Sequence, residues 1–167
     1  MTAVAKLVLV AISALGCGCA APITYYSESP QESKTGMVQF IAQSGPYTSF
    51  ALYETPATCR GIQRVALGEQ GVNKTVYVPN SAYLTFCVFI RFGGITEFDY
   101  GTTMYSVPFT SGAIRVSISY DAKSMYTTIE RREAGSDWTV VNNAVARKAD
   151  IPILESGSWC KSTPEIQ

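Results

Sequence analysis

Five cysteines, at positions 17, 19, 59, 87 and 160, are the side chains of this sequence best suited to covalent chemistry. A nucleophilic thiolate normally relies on an imidazole base, and the sequence contains no His. The same absence removes Ser-His-Asp triads and zinc sites with His ligands, and the five cysteines do not form the paired Cys-x-x-Cys spacings that a Cys-only zinc site needs. No metal site and no cofactor is expected. Cysteine is then left with disulfide formation and lipidation. Cys59 and Cys87 are the leading pair, closing a loop of about 29 residues that chain-entropy arithmetic values at roughly 3–4 kcal/mol. Two alternatives stay open: Cys87 as a reduced thiol in the core, and Cys160 as the partner of Cys19 or Cys59.

Two further groups could carry chemistry. Glu97 and Asp99 are two residues apart, so on a strand they share a face and could serve as the carboxylate pair of a hydrolase. Gly93, Gly94 and Gly101 flank them, which is also the composition of a solvated turn. The ten Tyr, among them Tyr25, Tyr26, Tyr100, Tyr105 and Tyr126, could line a ligand groove with apolar rings and polar tips, and they serve strands equally well. Basic residues do not cluster. Arg131-Arg132 and Arg147-Lys148 are isolated pairs in a chain whose 13 Lys+Arg balance 13 Asp+Glu, so a nucleic-acid partner is not expected.

The elements that must position these residues begin with an export signal. Lys6 precedes the apolar run 7–15, which only Ser13 interrupts and which ends in Gly16-Cys17-Gly18-Cys19-Ala20-Ala21. The run is about half of the roughly 20 residues that a membrane-spanning helix needs. Its Leu15-Gly16-Cys17 ending resembles the bacterial lipobox, which implies removal of 1–16 and acylation of Cys17, with Cys19 the alternate. Without lipidation the cut falls after Ala20 or Ala21. No Asp follows either Cys, and the resemblance then implies the outer membrane, facing the periplasm. Residues 17–36, rich in Ser, Glu and Pro, read as a lipidated N-terminus and flexible tether.

From Met37 the pattern becomes short runs of Val, Ile, Thr, Tyr and Phe punctuated by Gly, Pro, Asn, Asp and Ser. It predicts strands over 38–43, 49–54, 61–67, 75–78, 83–92, 103–109, 113–120, 125–132 and 138–145, in a single antiparallel β-sandwich spanning 37–160, followed by a tail over 161–167. The alternation in Ile114-Arg115-Val116-Ser117-Ile118 predicts one face in the core, and Asp121-Ala122-Lys123-Ser124 predicts a hairpin over 113–132. Leu84-Thr85-Phe86-Cys87-Val88-Phe89-Ile90 is apolar on both faces, as befits an interior strand covered on each side. A short helix competes with strand over 140–149.

Taken together, Ala51-Leu52-Tyr53-Glu54, Cys59-Arg60-Gly61, Val76-Tyr77-Val78-Pro79, Leu84-Thr85-Phe86-Cys87 and Pro108-Phe109-Thr110-Ser111-Gly112 resemble a pattern in small uncharacterised bacterial lipoproteins with a β-sandwich domain. In those the corner reads Phe before Pro, the reverse of Pro108-Phe109. The resemblance implies an immunoglobulin-like or transthyretin-like all-β fold and an envelope location, and it supplies no catalytic residue. The expectation is a non-enzymatic, membrane-anchored envelope lipoprotein acting as a binding or structural accessory module, with an envelope protein or polymer as partner. The alternatives are a secreted or periplasmic soluble protein: a hydrolase using Glu97 and Asp99, or an enzyme inhibitor.

Overall fold

A computed structural model describes residues 24–27, 36–68, 71–92, 99–121, 124–150, 152 and 157–160. Ten strands follow in order: β1 (Gly36–Ala42), β2 (Tyr47–Thr55), β3 (Arg60–Gly68), β4 (Val72–Val78), β5 (Tyr83–Phe92), β6 (Asp99–Pro108), β7 (Gly112–Tyr120), β8 (Met125–Arg132), β9 (Thr139–Val140) and β10 (Val145–Arg147). They form two five-stranded sheets, β4-β1-β7-β8-β9 and β10-β6-β5-β2-β3. This is an all-β sandwich. The chain passes from sheet to sheet at both lateral margins, from β3 to β4 on one side and from β9 to β10 on the other.

Large side chains alternate along the facing strands and meet between the sheets. Phe40 of β1 packs against Phe50 of β2 at 4.8 Å and edge-on against Phe86 of β5 at 6.2 Å. Ile114, Val116 and Ile118 of β7 are buried while Arg115, Ser117 and Ser119 alternate with them, as the period of two predicts. Each fully buried side chain of this size contributes about 1.5–3 kcal/mol. The 113–132 hairpin forms in register from Ala113↔Arg132 to Tyr120↔Met125, and Asp121 closes its turn by accepting from the Ser124 amide at 2.8 Å.

Four expectations change. One pairing is parallel, β1 with β7, because β1 enters the sheet between β4 and β7 and runs in the direction of the latter. The run expected at 138–145 is two short strands on different sheets: Asn142 and Asn143 interrupt the ladder, so Val140 pairs with Glu130 and Val145 with Ser106. The competing helix over 140–149 does not form. The stretch read as flexible tether includes residues that dock: Arg64 of β3 donates to the Thr24 carbonyl at 2.8 Å and accepts from the Tyr26 amide at 2.8 Å. Backbone groups on an edge strand need partners, and this segment supplies them to β3.

On the outer face of the first sheet, Arg115 links its neighbours. It donates to Gln39 of β1 at 3.1 Å and meets Glu130 of β8 at 3.4 Å, while Trp138 lies 4.0 Å from the Arg115 guanidinium and 4.7 Å from that of Arg132. These contacts hold the short β9 margin against the sheet.

At the start of β1, Gly36 lies under the ring of Phe109, and a Cβ there would sit 2.3 Å from that ring. Gly36→Val is therefore expected to destabilise the protein by about 1–3 kcal/mol through overpacking, read as a lower midpoint in urea unfolding, with Gly36→Ala intermediate. An unchanged midpoint would show that Phe109 has another place to go.

Candidate functional site

The cysteines take the two alternatives left open by the sequence rather than the leading Cys59–Cys87 pairing. Cys59 bonds to Cys160, with Cα atoms 5.6 Å apart, and Cys87 is a free, buried thiol. Cys87 lies in the middle of β5 on the sheet's outer face, opposite Ala51 and Met104, whereas Cys59 sits in the turn beyond β2 that the C-terminal segment reaches. That segment explains why β5 is apolar on both faces. Trp159 and Cys160 lie over Ala51, Tyr53, Ile62, Cys87 and Met104 as a second buried cluster, and Trp159 meets Phe89 edge-on at 6.0 Å. Cys17, Cys19 and Glu97 lie outside the described residues, and Asp99 is placed by its backbone alone, opposite Phe92 at the start of β6.

The turn between β2 and β3 is held from several directions. The carbonyl of Pro56 accepts from Thr85 at 2.8 Å, that of Ala57 from Arg147 at 3.1 Å, that of Thr58 from Ser158 at 2.5 Å, and that of Cys59 from the Trp159 amide at 3.0 Å. Arg147 also donates to Ser106 at 2.9 Å and to the Cys160 sulfur at 2.8 Å. Burial lowers the pKa of this guanidinium. Its described hydrogen-bond partners are neutral, so among the described residues its charge is met by directed acceptors rather than by an ion pair.

Beside that turn the two sheets part to leave a cleft of about 440 Å³, within the range typical of small-ligand sites. Leu52, Leu84, Val78 and Phe109 form its apolar floor, Tyr26 and Tyr83 stand at its sides, and Glu54, Gln63, Asn80 and Ser81 supply polar groups. Each has a structural reason to be there. Tyr26 is brought by the docked N-terminal segment, and its hydroxyl donates to the Tyr77 carbonyl at 2.5 Å. Glu54 shares the inner face of β2 with Leu52, beyond the end of the core, and its carboxylate lies over Gly61. A Cβ at Gly61 would come within 2.5 Å of the Glu54 carboxylate, and the residue has φ +66°, a conformation natural to glycine. Gln63 then donates to the other carboxylate oxygen at 2.6 Å. The Tyr83 hydroxyl is buried and has no hydrogen-bond partner among the described residues.

Of the tyrosines singled out in the sequence, only Tyr26 lines this cleft. Tyr105 packs against Phe86 at 5.9 Å, Tyr25 and Tyr126 are exposed, and the Tyr100 side chain lies outside the described residues. Tyr83 and Glu54 went unselected. The available signal was the Glu54-to-Gly61 spacing across a tight turn, which pairs a carboxylate with a residue that leaves it room. Compared with known proteins, the chain matches no family model, no curated protein and no solved structure. An apolar floor with convergent polar groups is suited to holding a ligand.

Two outcomes test this arrangement. Cys160→Ala is expected to cost about 2–5 kcal/mol in denaturant unfolding, since the bond joins residues 101 positions apart. It should also expose Trp159, read as a red shift of its fluorescence, and unchanged emission would mean that the segment docks without the bond. Burial pushes the Cys87 thiol, which faces the Tyr53 hydroxyl, up to about 12 from an ordinary value near 9, and burial raises Tyr53 as well. The unfolded chain gives up these protons at lower pH than the folded one. Stability intact below about pH 9 is therefore lost as pH rises toward 12, at up to about 1.4 kcal/mol per unit for the thiol alone. Urea midpoints between pH 8 and 11 should fall, less steeply for Cys87→Ala, and iodoacetamide at pH 8 should leave native Cys87 unmodified.

Proposed function

We propose that this chain is an exported, lipid-anchored envelope protein that acts by binding rather than by chemistry, with the end cleft as its binding site. The observation that carries the reading is the cleft itself, an apolar floor with polar groups converging on it, in which the Glu54 carboxylate is held open by Gly61. The Cys59–Cys160 bond supports export, because such bonds persist in oxidising compartments. The anchor is Cys17, with Cys19 the alternate, on the outer membrane and facing the periplasm. The partner is an envelope protein or polymer that presents a small group to the cleft.

Two measurements address the two halves of the proposal. The mature protein extracted from bacterial membranes should begin at Cys17 or Cys19 and carry acyl mass, and Cys17→Ser should release it into the soluble fraction; an unmodified chain beginning near Ala21 would discard the anchor. Soluble fragments of envelope polymer, glycan strands and stem peptides, should shift the amide resonances of residues 52–54 and 80–84. Tyr83→Ala should abolish those shifts. Shifts confined to the outer faces of the sheets would move the site elsewhere.

A further inference from the structure

Among the described residues that line the cleft, Glu54 is the one charged side chain, and neither Lys nor Arg is present. Its charge is fixed in place from two directions, by the space over Gly61 and by the 2.6 Å bond from Gln63. A carboxylate has about four lone-pair sites, and Gln63 occupies one. The same cleft is lined by the aromatic residues Tyr26, Tyr83 and Phe109, and aromatic ring faces carry partial negative charge.

We infer that the cleft selects the ammonium group of its ligand, a primary or quaternary organic cation seated between the aromatic rings with its charge toward Glu54. The inference rests on the cleft being the binding site. Anionic and neutral groups fit the cleft less well. An anionic group would meet the Glu54 carboxylate with no described cation to offset it. A neutral group such as a sugar would displace water from the carboxylate and return only dipoles. An ammonium, primary or quaternary, offers a charge for Glu54 and a polarised surface for the rings. The apolar floor of Leu52, Leu84 and Val78 accepts the carbon chain that carries the amine. The cation reaches the cleft either as a free amine or as an amine-bearing lipid headgroup, and the recognition chemistry is the same.

The test uses the full-length protein in maltoside micelles, followed by amide resonances of residues 52–54 and 80–84 during titration. Choline and n-butylammonium are compared with their uncharged counterparts, 3,3-dimethylbutan-1-ol and 1-butanol, and with a short-chain phosphatidylethanolamine. Each cation is expected to bind at least tenfold more tightly than its counterpart. Glu54→Gln, at an exposed position that leaves the fold intact, should erase that preference while preserving weak binding of the neutral compounds. Stronger saturation by the phosphatidylethanolamine than by free amines identifies the headgroup as the source, and the reverse identifies the free amine; both support the inference. Equal binding of cation and counterpart, or a Glu54→Gln variant that keeps the preference, overturns the ammonium inference and leaves the cleft as a binding site. Failure of all probes and of the polymer fragments to shift these resonances overturns both.

Discussion

Four successive carbonyls, from Pro56 to Cys59, accept hydrogen bonds from four different places: β5, β10, Ser158 and Trp159. This turn carries no ladder of its own, so its shape is set by what reaches it. The disulfide brings the C-terminal segment within range, Arg147 enters from the margin of the sheet, and Thr85 comes up from beneath. Because Pro56 and Glu54 both line the cleft, the wall of the cleft inherits its position from this meeting of distant segments. The energetics favour such an arrangement. An outer sheet face bearing Ala51, Ile62, Cys87 and Met104 would otherwise be left in water, and covering it with Trp159 and Cys160 contributes hydrophobic stabilisation while fixing the turn.

The sandwich therefore has a third, partial layer, and the two sides of β5 have different duties. Phe86 and Val88 belong to the core between the sheets, whereas Cys87 belongs to the cluster under the C-terminal segment. The buried thiol is chemically quiet there. Its role is to fill space beside Tyr53, and the reactive potential of the chain's sulfur is spent on the bond between Cys59 and Cys160.

How much of this was legible depended on how local the determining interaction is. The β7–β8 hairpin and the two-sided burial of β5 could be read because period-two alternation and continuous apolar runs are written along a single segment. Cysteine pairing could not, since spacing gives loop length and says nothing of which turn the C-terminus will reach. The parallel partnership of β1 with β7 and the division of 138–145 between two sheets depend on neighbours remote in the chain. The cleft shows both cases. Gly61 beside Glu54 is a local signal across one turn, while Tyr83 and Phe109 join them only through the packing of the sheets.

The docking of residues 24–27 along β3 bears on geometry at a larger scale. With the proposed lipid on Cys17, six residues would lie between the anchor and the first docked residue, Thr24, seven steps of chain that reach at most about 25 Å when fully extended. Two residues further on, Tyr26 lines the cleft. The proposed attachment would do more than localise the domain: it would turn one end of the sandwich toward the bilayer and confine its search to a thin shell above the surface. A ligand displayed in that shell would be encountered at a high effective concentration, so a weak intrinsic affinity would suffice for high occupancy.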